Sequence, residues 1–232
     1  MKQNDYDTIF ASSSQFKSAI KIIRISGNNA KKISNIFNFK KPKPRTFALR
    51  KLIYKDKIID SAPVVWLPRK KSFTGEDTFE IYIHGSVVIE KLIFKILSSY
   101  KNFRLAEPGE FTKRATLNGN IDLIQAESIN EIINTQTEKQ LSIAQAQLDG
   151  SLSNLVNSWR KEIIYISSLI ESLIDFSDED IPEELSDQFL KRLKKIKKKI
   201  KDAVNSAKLA SFIKEGFIVT IVGKPNAGKS SL

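Results

Sequence analysis

The spacing of apolar residues changes character near residue 120. Before that point the apolar runs are short, and several alternate with polar residues. Ile20-Lys21-Ile22-Ile23-Arg24-Ile25 predicts a strand over 19–26. A helix is expected over 28–37, followed by the loop Lys40-Lys41-Pro42-Lys43-Pro44. Two extended runs, 46–54 and 57–61, flank a Lys55-Asp56 turn, and 64–67 and 78–83 read as further strands. Apolar residues over 87–97 keep the spacing of a buried helix, and 108–117 reads as another, with Pro108 in its first turn.

From about Ile121 the period lengthens. Leu123, Ala126, Ile129, Ile132 and Ile133 keep helical spacing, and so do Leu155, Trp159, Ile163, Ile166 and Ile170 after a break at Asp149-Gly150. A third series runs through Leu185, Phe189, Leu193, Ile196, Ile200 and Val204 to Ala207. It stops near Glu215-Gly216, and the wholly apolar 217–222 is expected as a strand feeding Gly223. The fold class that follows is an α+β domain over 1–118 and an all-α helical bundle over 119–215. A third segment, 216–232, reads as the start of an α/β P-loop domain.

Composition changes this picture little. The 232 residues are 41% hydrophobic, enough to supply a core for each domain. No apolar run approaches the roughly 20 residues of a membrane span. The first ten residues carry two aspartates where a signal peptide would carry cations. A cytoplasmic chain with no membrane contact is therefore expected. With no cysteine and one histidine, His84, these residues offer neither disulfides, nor thiolate zinc sites, nor a cysteine nucleophile. A formal charge of +12 suits contact with a polyanion, although lysine and isoleucine are abundant throughout.

The sharpest chemical signal lies at 223–230, where Gly-Lys-Pro-Asn-Ala-Gly-Lys-Ser has the form G-x-x-x-x-G-K-S. Glycines at 223 and 228 permit a turn that aims main-chain N–H groups at phosphate, Lys229 reaches the terminal phosphates, and the Ser230 hydroxyl suits magnesium. The candidate nucleotide-binding residues are Asn226, Ala227, Gly228, Lys229, Ser230 and Ser231.

Two charged residues inside predicted strands also stand out. Period-two alternation puts Arg24 on one face with Ile20 and Ile22, where a cation needs a partner, and makes it a candidate ligand-binding arginine. Glu80 shares a face with Tyr82 and His84, opposite Phe79, Ile81 and Ile83, a pattern that an ordinary half-solvated strand also gives. The lysines between Lys191 and Lys201 occupy the exposed arc of the third helix, which reads first as a solvated face and otherwise as a surface for nucleic acid. The acidic run 175–184 lacks calcium-loop spacing and reads as an interhelical turn.

Several stretches together, "IIRISG" (22–27), "SFTGEDTFEIYIHG" (72–85), "EPGEFTKRATLNGNIDLIQAESINEII" (107–133), "LDGSLS" (148–153), "DFSDEDI" (175–181) and "GKPNAGKSSL" (223–232), resemble the MnmE (TrmE) tRNA-modification GTPases in order and spacing. The resemblance implies an N-terminal folate-binding and dimerising domain, then a helical domain into which a Ras-like GTPase domain is inserted. By that reading the chain is an N-terminal portion ending inside the first GTPase motif, without turnover of its own. The family's activity is GTP hydrolysis coupled to modification at C5 of the wobble uridine of certain tRNAs, giving carboxymethylaminomethyl or aminomethyl groups. Its cofactors are potassium, magnesium and GTP with a tetrahydrofolate one-carbon donor, and its partners are a second copy of itself, MnmG and tRNA. At matching positions, Asn226 would ligate potassium, Lys229 the phosphates and Ser230 magnesium. Arg24, Glu80 and Asn120 would belong to the 5-formyltetrahydrofolate site. Two departures bear on that site: the serine-rich 12–18 replaces a glycine- and arginine-rich loop, and Asn120 stands where lysine is usual. The alternatives are a non-catalytic folate-binding dimerisation module and a simple basic RNA-binding protein. The latter leaves the phosphate loop and Phe73-Thr74-Gly75-Glu76-Asp77 without a role.

Overall fold

The computed structural model describes residues 7–13, 18–175, 183–215, 220, 222–224 and 228. The chain divides into two compact units, Met1–Ala126 and Glu127–Leu232.

The first unit is built on a six-stranded mixed sheet. Its strands are β1 (Thr8–Ser12), β2 (Ile20–Ser26), β3 (Ala48–Tyr54), β4 (Lys57–Leu67), β5 (Thr78–His84) and β6 (Phe103–Leu105), in the order β3-β4-β5-β2-β1-β6. All neighbours are antiparallel except β1 and β6. Lys55 and Asp56 both have positive φ, 48° and 62°, as a two-residue turn matched to the twist of its strands requires. The stretches expected as separate strands over 57–61 and 64–67 form the single strand β4. Pro63 does not interrupt it, although in register opposite Leu49 of the edge strand β3.

One sheet face is dry. Phe10, Ile23, Ile25, Phe79, Ile81 and Ile83 are fully buried there and pack with Ile93 and Leu97. Each such side chain contributes roughly 1.5–3 kcal/mol by leaving water. The latter two come from α2 (Val87–Ser98), whose N-cap Ser86 accepts from the main-chain N–H groups of Val88 and Ile89. The helix expected over 28–37 is shorter: a 3-10 turn at Ala30–Lys32 runs into a single α turn, α1 (Ile33–Ile36). The helix expected from 108 is α3 (Glu110–Leu117), and Pro108 precedes it. Gly109, at φ 74°, takes the cap position and turns the chain into the helix. Strands β1 and β6 were absent from the reading of the sequence. Both are short, and β6 has only three residues in which to display a period.

Alternation grouped Arg24 with Ile20 and Ile22 correctly, but the dry face of β2 is the other one. The core face carries Lys21 along with Ile23 and Ile25, and its ammonium donates to Glu90 Oε2 of α2 at 2.6 Å. Arg24 lies on the opposite, half-buried face.

The second unit is helical. α4 (Leu123–Asn134) spans the division, followed by α5 (Glu138–Leu148), α6 (Ser151–Asp175) and α7 (Glu183–Glu215). α5 was not foreseen as a separate helix, because Leu141, Ala144 and Leu148 lie on one side and Ile143 and Ala146 on the other, so no single stripe marks it. Thr137 and Gln140 nevertheless start it with a reciprocal capping box. α6 packs against α5 and α7, and Ala144, Ile166 and Ile196 are buried in this unit. Among the described residues no helix is long and apolar enough to cross a membrane. The strand expected over 217–222 and the acidic run between the last two helices lie largely outside the described residues.

Candidate functional site

The two charged residues singled out on β2 and β5 are direct cross-strand neighbours. Antiparallel register sets Arg24 opposite Glu80, with Ile22 opposite Tyr82 on the same face. Arg24 donates through Nε and Nη2 to Glu80 Oε1, each at 2.8 Å. The other carboxylate oxygen, Oε2, accepts from the Tyr82 hydroxyl at 2.9 Å. The side chains of Arg24 and Glu80 are 31% and 13% exposed, so the pair sits in a recess with one open side. Burial and then the bond to Glu80 push the Tyr82 phenol up to about 12, so it remains a donor at neutral pH.

Aromatic rings surround the guanidinium. Arg24 Cζ lies 5.7 Å from the centre of the Phe73 ring and 5.8 Å from that of Phe111. On the other flank the Phe47 and Tyr82 rings have centroids 5.0 Å apart, and Phe47 is 63% exposed. A carboxylate, a guanidinium, a phenol and flat apolar walls can receive a planar heterocycle that carries both N–H donors and an anionic group. Glu80 offers the remaining lone pair of Oε2, since Oε1 already accepts twice from Arg24, and Arg24 offers its uncommitted N–H groups as charged donors. The aromatic components were missed in the sequence because nothing in periodicity distinguishes a ring lining a recess from one filling a core. Phe73 does fall within the singled-out Phe73-Thr74-Gly75-Glu76-Asp77.

Asn120 stands behind this arrangement. Its side-chain amide donates to the carbonyls of Ser72 and Phe73, both at 3.0 Å, and Asn118 donates to that of Thr74 at 2.7 Å. Gly75, at φ 75°, lies against both asparagines, and a β-carbon there would come within 3.1 Å of Asn118 Cβ and 3.2 Å of Asn120 Oδ1. The loop bearing Phe73 is thus pinned along its back.

Below the loop runs a polar network. Ser26 Oγ donates to Glu76 Oε2 at 2.9 Å and meets Thr74 Oγ1 at 2.6 Å. Arg114 of α3 binds both Glu76 oxygens at 3.2 Å and Glu110 Oε1 at 3.0 Å, and donates to the Asp7 carbonyl at 2.8 Å. Glu110 also accepts two bonds from Arg104, at 2.6 and 2.8 Å. Burial opposes ionisation of Glu110, but the Arg104 bonds, the Glu107 N–H and Arg114 outweigh it and hold the carboxyl at about 2. This network joins Asp7, β2, β6, the Phe73 loop and α3, and β2, the loop and α3 supply Arg24, Phe73 and Phe111.

Of the candidate phosphate-loop residues, Asn226, Ala227, Lys229, Ser230 and Ser231 lie outside the described residues. Gly228 is described, with φ 77°.

An α+β domain with a charged recess on its sheet, followed by a helical domain, defines the class, and comparison with known proteins defines the family. Residues 8–120 match the family described as GTP-binding protein TrmE N-terminus, and residues 123–218 match the MnmE helical domain. The chain belongs to the MnmE (TrmE) family. It is 41% identical over 228 residues to a tRNA modification GTPase MnmE of Neorickettsia sennetsu, covering 97% of this chain and 41% of that protein. Against proteins of the same name from Rickettsia bellii and Cereibacter sphaeroides, identity is 40% over 230 residues and 36% over 227. Each alignment covers 97% of this chain, with 52% and 53% of the relatives. The chain thus spans about half the length of the curated relatives it matches.

Proposed function

We propose that this chain serves a tRNA modification GTPase and that its α+β domain holds a reduced folate on the Arg24–Glu80 recess. The observation that carries the folate assignment is the cross-strand pair itself. A charged pair at the centre of a sheet face, open on one side and flanked by Phe73 and Phe111, has more donor and acceptor capacity than its internal bonds use. A reduced pterin presents adjacent N–H donors that suit the carboxylate of Glu80, and the glutamyl tail is anionic and suits a guanidinium.

The folate supplies a one-carbon unit for the C5 position of a tRNA wobble uridine, with MnmG as the partner enzyme and a second copy of this protein as the dimer mate. Asn226 to Ser231 would hold GTP, with Asn226 towards potassium and Ser230 towards magnesium, and its hydrolysis would supply the driving force of the cycle. Within the α+β domain, the chain's own residues bind and orient. Glu80 and Arg24 fix the ligand's polar groups, Tyr82 keeps the carboxylate from rotating, and the phenylalanines exclude water from the ring faces.

Titration calorimetry with 5-formyltetrahydrofolate tests the site. Glu80→Gln and Arg24→Gln each remove a charge-assisted contact, so affinity falls roughly ten- to a hundredfold, the equivalent of about 1.5–3 kcal/mol. Unchanged binding in both variants, with the fold intact by circular dichroism, places the ligand elsewhere.

A further inference from the structure

The second unit carries a cationic surface to which the folate site gives no role. At 100° per residue, Lys191, Lys194, Lys198 and Lys201 fall on the side of α7 opposite the buried Ile196 and half-buried Ile200, and Lys195 borders that side towards the cleft with α6. All five are exposed, and among the described residues none of them forms an ion pair. Asp202 is the carboxylate at the end of the run. The stripe is about 15 Å long.

Beside it, α6 and α7 enclose a cleft of about 470 Å³ whose walls include Lys195, Lys199, Arg192 and Trp159. Arg192 is already fixed there: it donates to Glu162 Oε1 at 3.0 Å and lies 4.7 Å from the centre of the Tyr165 ring. Among the described residues the buried Trp159 indole nitrogen has no hydrogen-bond partner. Helix propensity accounts for some lysine, but not for so many like charges within three turns, since neighbours at i,i+3 and i,i+4 repel. A polyanion laid along the stripe removes that repulsion and releases counterions.

We propose that this face of α7 binds the phosphate backbone of RNA, with the cleft between α6 and α7 receiving a phosphate or sugar edge beside Trp159. The choice of RNA rests on the reading that the protein works on tRNA. The chemistry is sequence-independent: lysine ammonium groups meet phosphates as point charges.

The test is fluorescence anisotropy of the full 232-residue chain with a labelled, unmodified tRNA transcript, at potassium chloride from 50 to 200 mM. Each phosphate contact contributes about 0.9 to the slope of log affinity against log salt on a duplex. Replacing Lys191, Lys194, Lys195 and Lys198 with glutamine is expected to lower that slope by up to about 3.6 and to weaken binding at least tenfold at 50 mM. A control variant removes the same charge from the first unit, at the exposed Lys40, Lys43, Lys91 and Lys95, and is expected to bind like wild type. Equal losses in both variants mean that net charge alone acts and overturn the proposal. Wild-type affinity in the α7 variant removes the surface while leaving the tRNA reading standing, whereas no RNA binding by wild type at 50 mM removes both. Binding to phosphatidylserine vesicles without binding to the transcript also overturns it. Circular dichroism of each variant establishes that α7 remains helical.

Discussion

The side-chain amide of Asn120 donates to the main-chain carbonyl of Phe73 at 3.0 Å, and the Phe73 ring lies 5.7 Å from the guanidinium carbon of Arg24. A residue expected to touch the ligand thus holds the loop that forms one wall of the recess. Asn120→Asp turns a donor into an acceptor facing two carbonyls. The loop should loosen, and the affinity for 5-formyltetrahydrofolate should fall about three- to tenfold, by roughly one hydrogen bond's net worth. Asn120→Ala should weaken binding less, since it removes the donor without adding repulsion. Calorimetry of the two variants side by side checks the order, and wild-type affinity in both removes the loop-holding role.

Acid should dismantle the network under that loop. The Glu110 carboxyl is held at about 2 against an ordinary 4.5, and Asp60 is also lowered. For Asp60, burial is outweighed by bonds from the His84 N–H, the His84 ring and the Ser61 N–H. Both folded values lie below the unfolded ones. Their stabilisation is therefore present above the ordinary carboxylate range and is lost as pH falls from about 4.5 towards 2. For Glu110 the loss is on the order of 3 kcal/mol. Urea midpoints at pH 7, 4 and 3 should decline in wild type. Glu110→Gln should be less stable at pH 7 and decline less steeply, and parallel declines would contradict the assignment.

Gly85 tests the packing at the end of β5. A β-carbon there would collide with the Ser18 carbonyl oxygen, a main-chain atom that no side-chain rotation moves aside. The Gly85 N–H also donates to Ala19 at 2.9 Å. Gly85→Ala should cost about 3 kcal/mol or more, read as a lowered thermal midpoint. Gly109→Ala is the contrasting case, since a β-carbon there meets nothing within 4 Å, although at φ 74° its backbone is strained. It should be milder.

The 232 residues by themselves should not turn over GTP. Hydrolysis needs groups that position water and close over the γ-phosphate and magnesium, and the sequence through Leu232 supplies the phosphate loop alone. Phosphate release by this polypeptide in potassium buffer should equal that of its Lys229→Ala variant. Potassium-stimulated release above that control would contradict the expectation.

Sequence by itself determined the fold class, and it alone raises the phosphate loop as an expectation. Period-two alternation in Ile20 to Ile25 and longer apolar periods after residue 120 are local properties, set by which side of a strand or helix each residue occupies. It also named Arg24 and Glu80, because a charge among strand residues is visible without a partner. Tertiary structure alone decided that the two face each other. Register between β2 and β5 depends on the pairing of strands 56 residues apart, and a shift of one position would have turned the pair to opposite faces. It also decided that Lys21, and not Arg24, faces the core, because the dry face is chosen by where α2 packs. The same holds for the rings beside Arg24. Phe73 and Phe111 come from a loop and a helix far apart in the chain, and only the asparagine clamp and the Glu76–Arg114–Glu110 network bring them to one guanidinium.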